Sequence, residues 1–149
     1  MGIVYRKALR FKSKYPGTVA WRIKSHSRVI EQHLNPDEEV KYVFVGQRNN
    51  QFYDIITTGI FVITNKRIMV ASKRVLFGYL FFSITPDMFN DLTVYRGIIF
   101  GKITLDTIKE LVVFTNLDKN SLPEIQNAIS MNIMEQKKEY AIIQRSNNK

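Results

Sequence analysis

The sequence predicts a mainly β domain with helices: a seven-stranded antiparallel bent barrel or sandwich, capped by a C-terminal α-helix and preceded by an extra N-terminal helix. Three observations carry this. From Glu39 onward, apolar residues recur at every second position or in short solid runs, and turn signals separate the runs. Near the end, Ser121-Leu122-Pro123-Glu124 opens a stretch in which apolar residues switch to helical spacing. A small antiparallel barrel or sandwich also has open ends and edge strands, and a terminal helix with one apolar face covers both.

Residues 1–17 show no sustained period and end in the turn signal Tyr15-Pro16-Gly17, so they are expected to form an irregular basic arm. Thr18 is the expected cap of a helix running to about Leu34 and stopped by Asn35-Pro36. On a helical wheel Val19, Ile23, Ile30 and Leu34 share a stripe with His26 and His33 at its edge, while Trp21, Lys24, Ser25 and Arg28 lie opposite. In 39–49, Val40, Tyr42 and Phe44 alternate with Lys41, Val43 and Val45, and the polar stretch Arg48-Asn49-Asn50-Gln51-Phe52-Tyr53-Asp54 follows as a loop. The runs ITTGIFVIT and RIMVAS flank Thr64-Asn65-Lys66-Arg67, which reads as a hairpin turn with Asn65 available for a positive-φ position. RVLFGYLFFSI reads as a strand pair or one bent strand with Gly78 at the turn or bulge. Burial in the core is the expected fate of most of it, and the alternative, if strands flank Phe77-Gly78, is an exposed tip of Leu76, Phe77 and Tyr79 that could enter a bilayer or a partner groove. After a break at TPDMFN, the runs DLTVYRG, IFGKITLDT and KELVVFTN supply three more strands. In the closing helix Leu122, Ile125, Ile129 and Ile133 share one face, Ser121 and Glu124 form a capping-box pair, and the helix is expected to reach about Tyr140 before a fraying tail.

A chain of 149 residues suits one ordinary domain, and an apolar fraction of 45% supports a core. The absence of cysteine excludes disulfides, thiolate metal sites and thiol nucleophiles. The first seventeen residues carry charge throughout, unlike a signal peptide, Arg6 stands where a myristoylation signal needs Ser or Thr, and Val75–Ile84 is about half a membrane span. The expected location is therefore cytoplasmic, with a peripheral position at the inner face of the membrane as the variant. The net charge of +9 is uneven: residues 1–35 hold eight Lys or Arg against one acid, and residues 36–149 hold fourteen against twelve. Such a basic segment attracts anionic lipid and nucleic acid alike.

The order Thr64-Asn65-Lys66-Arg67, then Phe77-Gly78, then Ile84, Phe89, Asp91 and Leu92, then Gly97, Gly101, Lys102, Ile103 and Thr104, followed by the helix at Ser121, resembles the bacterial pleckstrin-homology (PH) domain family over about residues 36–138. The resemblance implies a strongly bent seven-stranded sheet closed at one end by the C-terminal helix. It does not bring phosphoinositide binding with it, because the first strand pair offers only Lys41 and Arg48 rather than a dense basic cluster. With the residue reading above, the expected organisation is 1–35 as basic arm and amphipathic helix, 36–140 as PH-like domain, and 141–149 as flexible tail.

No nucleophile elbow, Walker loop, Gly-x-Gly-x-x-Gly or His-Glu-x-x-His is present, and Asp91 and Asp106 fall at strand edges or turns where Asp is ordinary. His26 and His33 are separated by about 10.5 Å along a helix, too far to share one metal ion; no metal, cofactor or catalytic residue is expected. The candidate interaction surface comprises Trp21, Lys24, Arg28, Lys66, Arg67, Lys73, Arg74, Leu76, Phe77 and Tyr79. The pairs Lys66-Arg67 and Lys73-Arg74 should sit about 23 Å apart at the two ends of one strand. The expected function is a noncatalytic interaction module that binds a protein partner or a second copy of itself. The alternative is a peripheral module on anionic lipid, held by the basic N-terminal segment. Nucleic acid is the weakest candidate partner, because aromatic and basic residues do not interleave on any expected strand face.

Overall fold

The computed structural model describes residues 2–48 and 57–148. Three helices, α1 (Ile3–Lys14), α2 (Ile23–His33) and α3 (Leu122–Asn147), accompany seven strands: β1 (Val40–Arg48), β2 (Thr58–Thr64), β3 (Ile68–Lys73), β4 (Tyr79–Ile84), β5 (Phe89–Arg96), β6 (Phe100–Thr107) and β7 (Leu111–Asp118). All pairings are antiparallel, in the spatial order β4-β3-β2-β1-β7-β6-β5. The seven strands and the closing helix are those the apolar periodicity predicts. Most of the loop expected after Arg48 lies outside the described residues.

The first correction concerns the N-terminus. Residues 3–14 are not an irregular arm but a helix, whose Val4, Ala8 and Phe11 are buried at helical spacing against β1. Five cations between and around those three residues hide the stripe in the sequence. The second helix starts later than expected. Thr18 does not cap it: its hydroxyl accepts the Asp118 N–H at 3.0 Å, and Val19 N–H donates to Asn116 O at 2.9 Å, so this stretch runs alongside the end of β7. The helix begins after Arg22, whose backbone is left-handed (φ 57°, ψ 32°). His26 is on the buried face rather than at its edge, beside Val29 and Ile30.

With α1 against β1, and α2 against β2 and β3, these strands have both faces covered. This explains why β2 is buried along its whole length and why alternation in β1 fades after Tyr42. Phe44 ties the layers together: its ring meets Phe61 of β2 at 4.7 Å, Phe114 of β7 at 5.1 Å and Phe11 of α1 at 6.0 Å.

At the closed end Leu122, Ile125, Ile129 and Ile133 of α3 are buried as predicted, and the Asn132 and Gln136 amides donate to Thr64 O at 3.3 and 3.1 Å. The capping box does not form. Ser121 Oγ instead donates to Asp118 O at 2.6 Å, and Glu124 is taken up by Lys14 Nζ at 2.6 Å and Tyr42 OH at 2.8 Å. The helix also continues past Tyr140 to Asn147. The hairpin turn between β2 and β3 is where the sequence puts it, but Asn65 does not take a positive φ. Side chains shape the turn instead: Thr64 Oγ1 accepts the N–H groups of Lys66 and Arg67, both at 3.1 Å, and Asn65 Oδ1 accepts that of Glu39 at 2.8 Å.

Candidate functional site

The two basic pairs have different surroundings. Lys66 pairs with Asp37, and Arg67 Nε donates to Glu38 Oε2 at 3.0 Å while its Nη2 reaches Glu38 Oε1 at 3.1 Å and His33 O at 2.7 Å. Burial pushes the Glu38 carboxyl up, but its bonds to Arg67, Thr64 and Asn35 outweigh this and leave it below the usual range. These two cations lock the closed end to the segment joining α2 and β1. Lys73 and Arg74 stand at the other end of β3, as predicted, where no carboxylate engages them among the described residues.

From Arg74 the chain turns back through Gly78, which takes φ 71° while Arg74 N–H donates to Gly78 O at 3.1 Å. The turn carries Val75, Leu76 and Phe77 outward with 60%, 82% and 84% of their surfaces exposed. The core burial expected for this run is therefore corrected: only the later residues of β4 pack inward, and three apolar side chains project into solvent at the tip. Tyr79 is half exposed at the base. Leu111, at the start of β7 and lining the same cleft as Val75, is also exposed.

A cleft of about 510 Å³ opens at the foot of the tip, between the end of β1, the start of β2, the end of β3, the β6–β7 connection and the start of α2. Among the described residues four cations line it, Arg22, Arg48, Lys73 and Arg74, together with the carboxylate of Glu110. Arg22 Nη1 donates to Lys73 O at 2.9 Å, and its left-handed backbone costs about 1 kcal/mol to hold that position. Arg48 lies over the Phe82 ring at 5.3 Å, and its buried Nε has no hydrogen-bond partner among the described residues. Burial pulls the Arg48 guanidinium below its ordinary value, with Glu110 opposing, yet arginine stays charged. Chemically the cleft is a cationic mouth behind an apolar lip.

The remaining predicted residues divide. Trp21 precedes Arg22, and its carbonyl accepts the Thr58 hydroxyl at 2.7 Å, which places it at this open end. Arg28 borders a groove shared with Lys73 and Tyr79, and Lys24 lies with Arg28 in a hollow against Tyr5 and Glu31. Sequence reasoning missed Arg22 and Val75, and it gave Arg48 and His26 no place in a site. Arg22 and His26 reach the cleft from the start of α2 and Arg48 from the end of β1, so no single local pattern announces the three together.

His26 is 2% exposed. Burial and the nearby Arg22 charge lower its pKa from 6.5 to about 4. The unfolded chain therefore binds a proton that the folded one refuses between these values. Stability should be full above pH 6.5 and fall by about 3 kcal/mol as pH drops toward 4, with His26→Gln removing that slope; urea unfolding across pH checks it.

Comparison with known proteins agrees with the architecture. The Bacterial PH domain family matches residues 34–131, which span β1 to β7 and the start of α3 and leave α1 and α2 outside. Among solved structures the chain is similar to the pleckstrin homology domain from Shewanella amazonensis SB2B, at 13% identity and a TM-score of 0.44 over 80% of this chain and 90% of that one. Curated proteins give no match. With two thirds of its length matched, the chain belongs to the bacterial PH domain family.

Proposed function

We propose that this PH domain is a noncatalytic interaction module that docks on anionic membrane surface through the open end of its barrel. The single observation behind this is the joining of an exposed apolar turn, Val75-Leu76-Phe77, to a cleft where, among the described residues, Arg22, Arg48, Lys73 and Arg74 outnumber the acid Glu110. Apolar side chains entering the acyl boundary contribute about 1.5–3 kcal/mol each, and cations near an anionic leaflet about 1 kcal/mol each. No helix among the described residues is long and apolar enough to cross a membrane. The apolar side of α2, expected to dock on this domain or on a second copy, packs against β2 and β3 of its own chain. It is therefore not free to drive assembly.

Reversing Lys73 and Arg74 to Glu should weaken binding to phosphatidylserine-containing vesicles at least about tenfold at low salt, with the same circular dichroism spectrum. Unchanged affinity would remove the cationic cleft from the account. A second reading, contact with another copy of the chain, is favoured by the end of α3, where Tyr140, Ile142 and Ile143 are exposed and none of Lys137–Asn147 is buried. Light-scattering mass over a range of concentrations tests it: a multimer supports it, and a monomer throughout excludes it.

A further inference from the structure

The β2–β3 ladder stops at Ile60 and Ala71, two residues short of Thr58 and Lys73 at the mouth of the barrel. Past that point Ser72 Oγ still donates to Thr58 O at 2.6 Å, and one step further an imidazole stands between Lys73 and Thr58 where a backbone contact would fall. Lys73 N–H donates to His26 Nδ1 at 2.8 Å, and Nε2 on the far side of the ring lies 2.9 Å from Thr58 Oγ1. With Nδ1 accepting, Nε2 carries the proton and donates to Thr58, whose hydroxyl passes its own proton to Trp21 O at 2.7 Å. Arg22 takes the remaining backbone group, Lys73 O, at 2.9 Å. Both backbone groups of Lys73 are thus held by the N-terminal helical segment, which lies outside the family match. Lys73 is also the residue from which the apolar tip departs.

We infer that His26 is a positioning residue for the open end: its ring bridges β2 and β3 where their ladder parts, sets the width of the cationic cleft and holds the base of the Val75–Phe77 tip. The membrane-docking role of that tip rests on the reading above; the bridge itself does not. A ring with an acceptor on one edge and a donor on the other, each one hydrogen bond from its partner, spans the opening between the Lys73 N–H and the Thr58 hydroxyl. Glutamine offers the same pair, Oε1 to accept from Lys73 and Nε2 to donate to Thr58, whereas leucine fills the space and offers neither.

The test compares the parent with His26→Leu and His26→Gln in the full chain, by amide hydrogen exchange at Lys73–Tyr79 against the β6 amides as an internal standard. In the leucine variant, exchange at the tip should rise at least about tenfold relative to β6, and in the glutamine variant it should stay near the parent. Leucine raising tip and β6 exchange together, or changing neither, would overturn the inference, and so would a failure of glutamine to restore the tip. Binding to phosphatidylserine vesicles should follow the same order. A parent that binds no vesicles would overturn the docking reading alone, since the exchange pattern reports on the bridge without any membrane.

Discussion

Replacing Phe44 by alanine should lower the unfolding free energy by about 3–5 kcal/mol. The ring is fully buried and stands against Phe61, Phe114 and Phe11, one each from β2, β7 and α1. Its removal takes away transfer free energy, leaves a cavity that three elements border, and breaks aromatic contacts worth about 0.5–1.5 kcal/mol each. Against a total stability of about 5–15 kcal/mol, this is a large share. Thermal unfolding should move down by roughly 10–15 °C, on a scale of about 2–4 °C per kcal/mol for a chain of this size. A loss below about 1 kcal/mol in urea titration would mean that α1 and the two halves of the sheet do not meet at this ring.

The double substitution Leu76→Asp and Phe77→Asp should do the reverse, sparing the fold and removing the proposed membrane docking. Both side chains are more than four-fifths exposed, so folding gains little from them and the unfolding midpoint should shift by no more than about 2 °C. Binding to phosphatidylserine vesicles should weaken at least about a hundredfold, because two apolar anchors are lost and two carboxylates now face an anionic surface. Unchanged binding would place the contact elsewhere on the molecule. A collapse in stability would mean that the run is core, as its composition alone suggests.

That contrast shows where the sequence is legible. Strand number, hairpin position and the face of α3 follow from local signals: period two between turn residues, and Leu122, Ile125, Ile129 and Ile133 at helical spacing. The solid apolar runs of β2 and β3 also carried information, since a strand buried on both faces needs a second covering layer, here α2. Other features are decided by contacts far away in sequence. Val4, Ala8 and Phe11 are too few among cations to declare a helix until β1 supplies their partner. Thr18 has the chemistry of a cap, but the Asp118 N–H claims it from about a hundred residues away. Leu76 and Phe77 are apolar, yet Gly78 at φ 71° closes a turn that leaves them outside. The cationic cleft is assembled from α2, β1, β3 and the segment after it, and only closure of the barrel brings those charges together.

The docking account stands or falls on flotation of the unaltered chain with vesicles of phosphatidylcholine alone and of phosphatidylcholine mixed with phosphatidylserine, each at low and at high salt. The predicted result is co-flotation with the phosphatidylserine mixture at low salt, weakened at high salt, and none with phosphatidylcholine. A chain that stays at the bottom of the gradient with phosphatidylserine at low salt, or floats equally with both compositions, would contradict it.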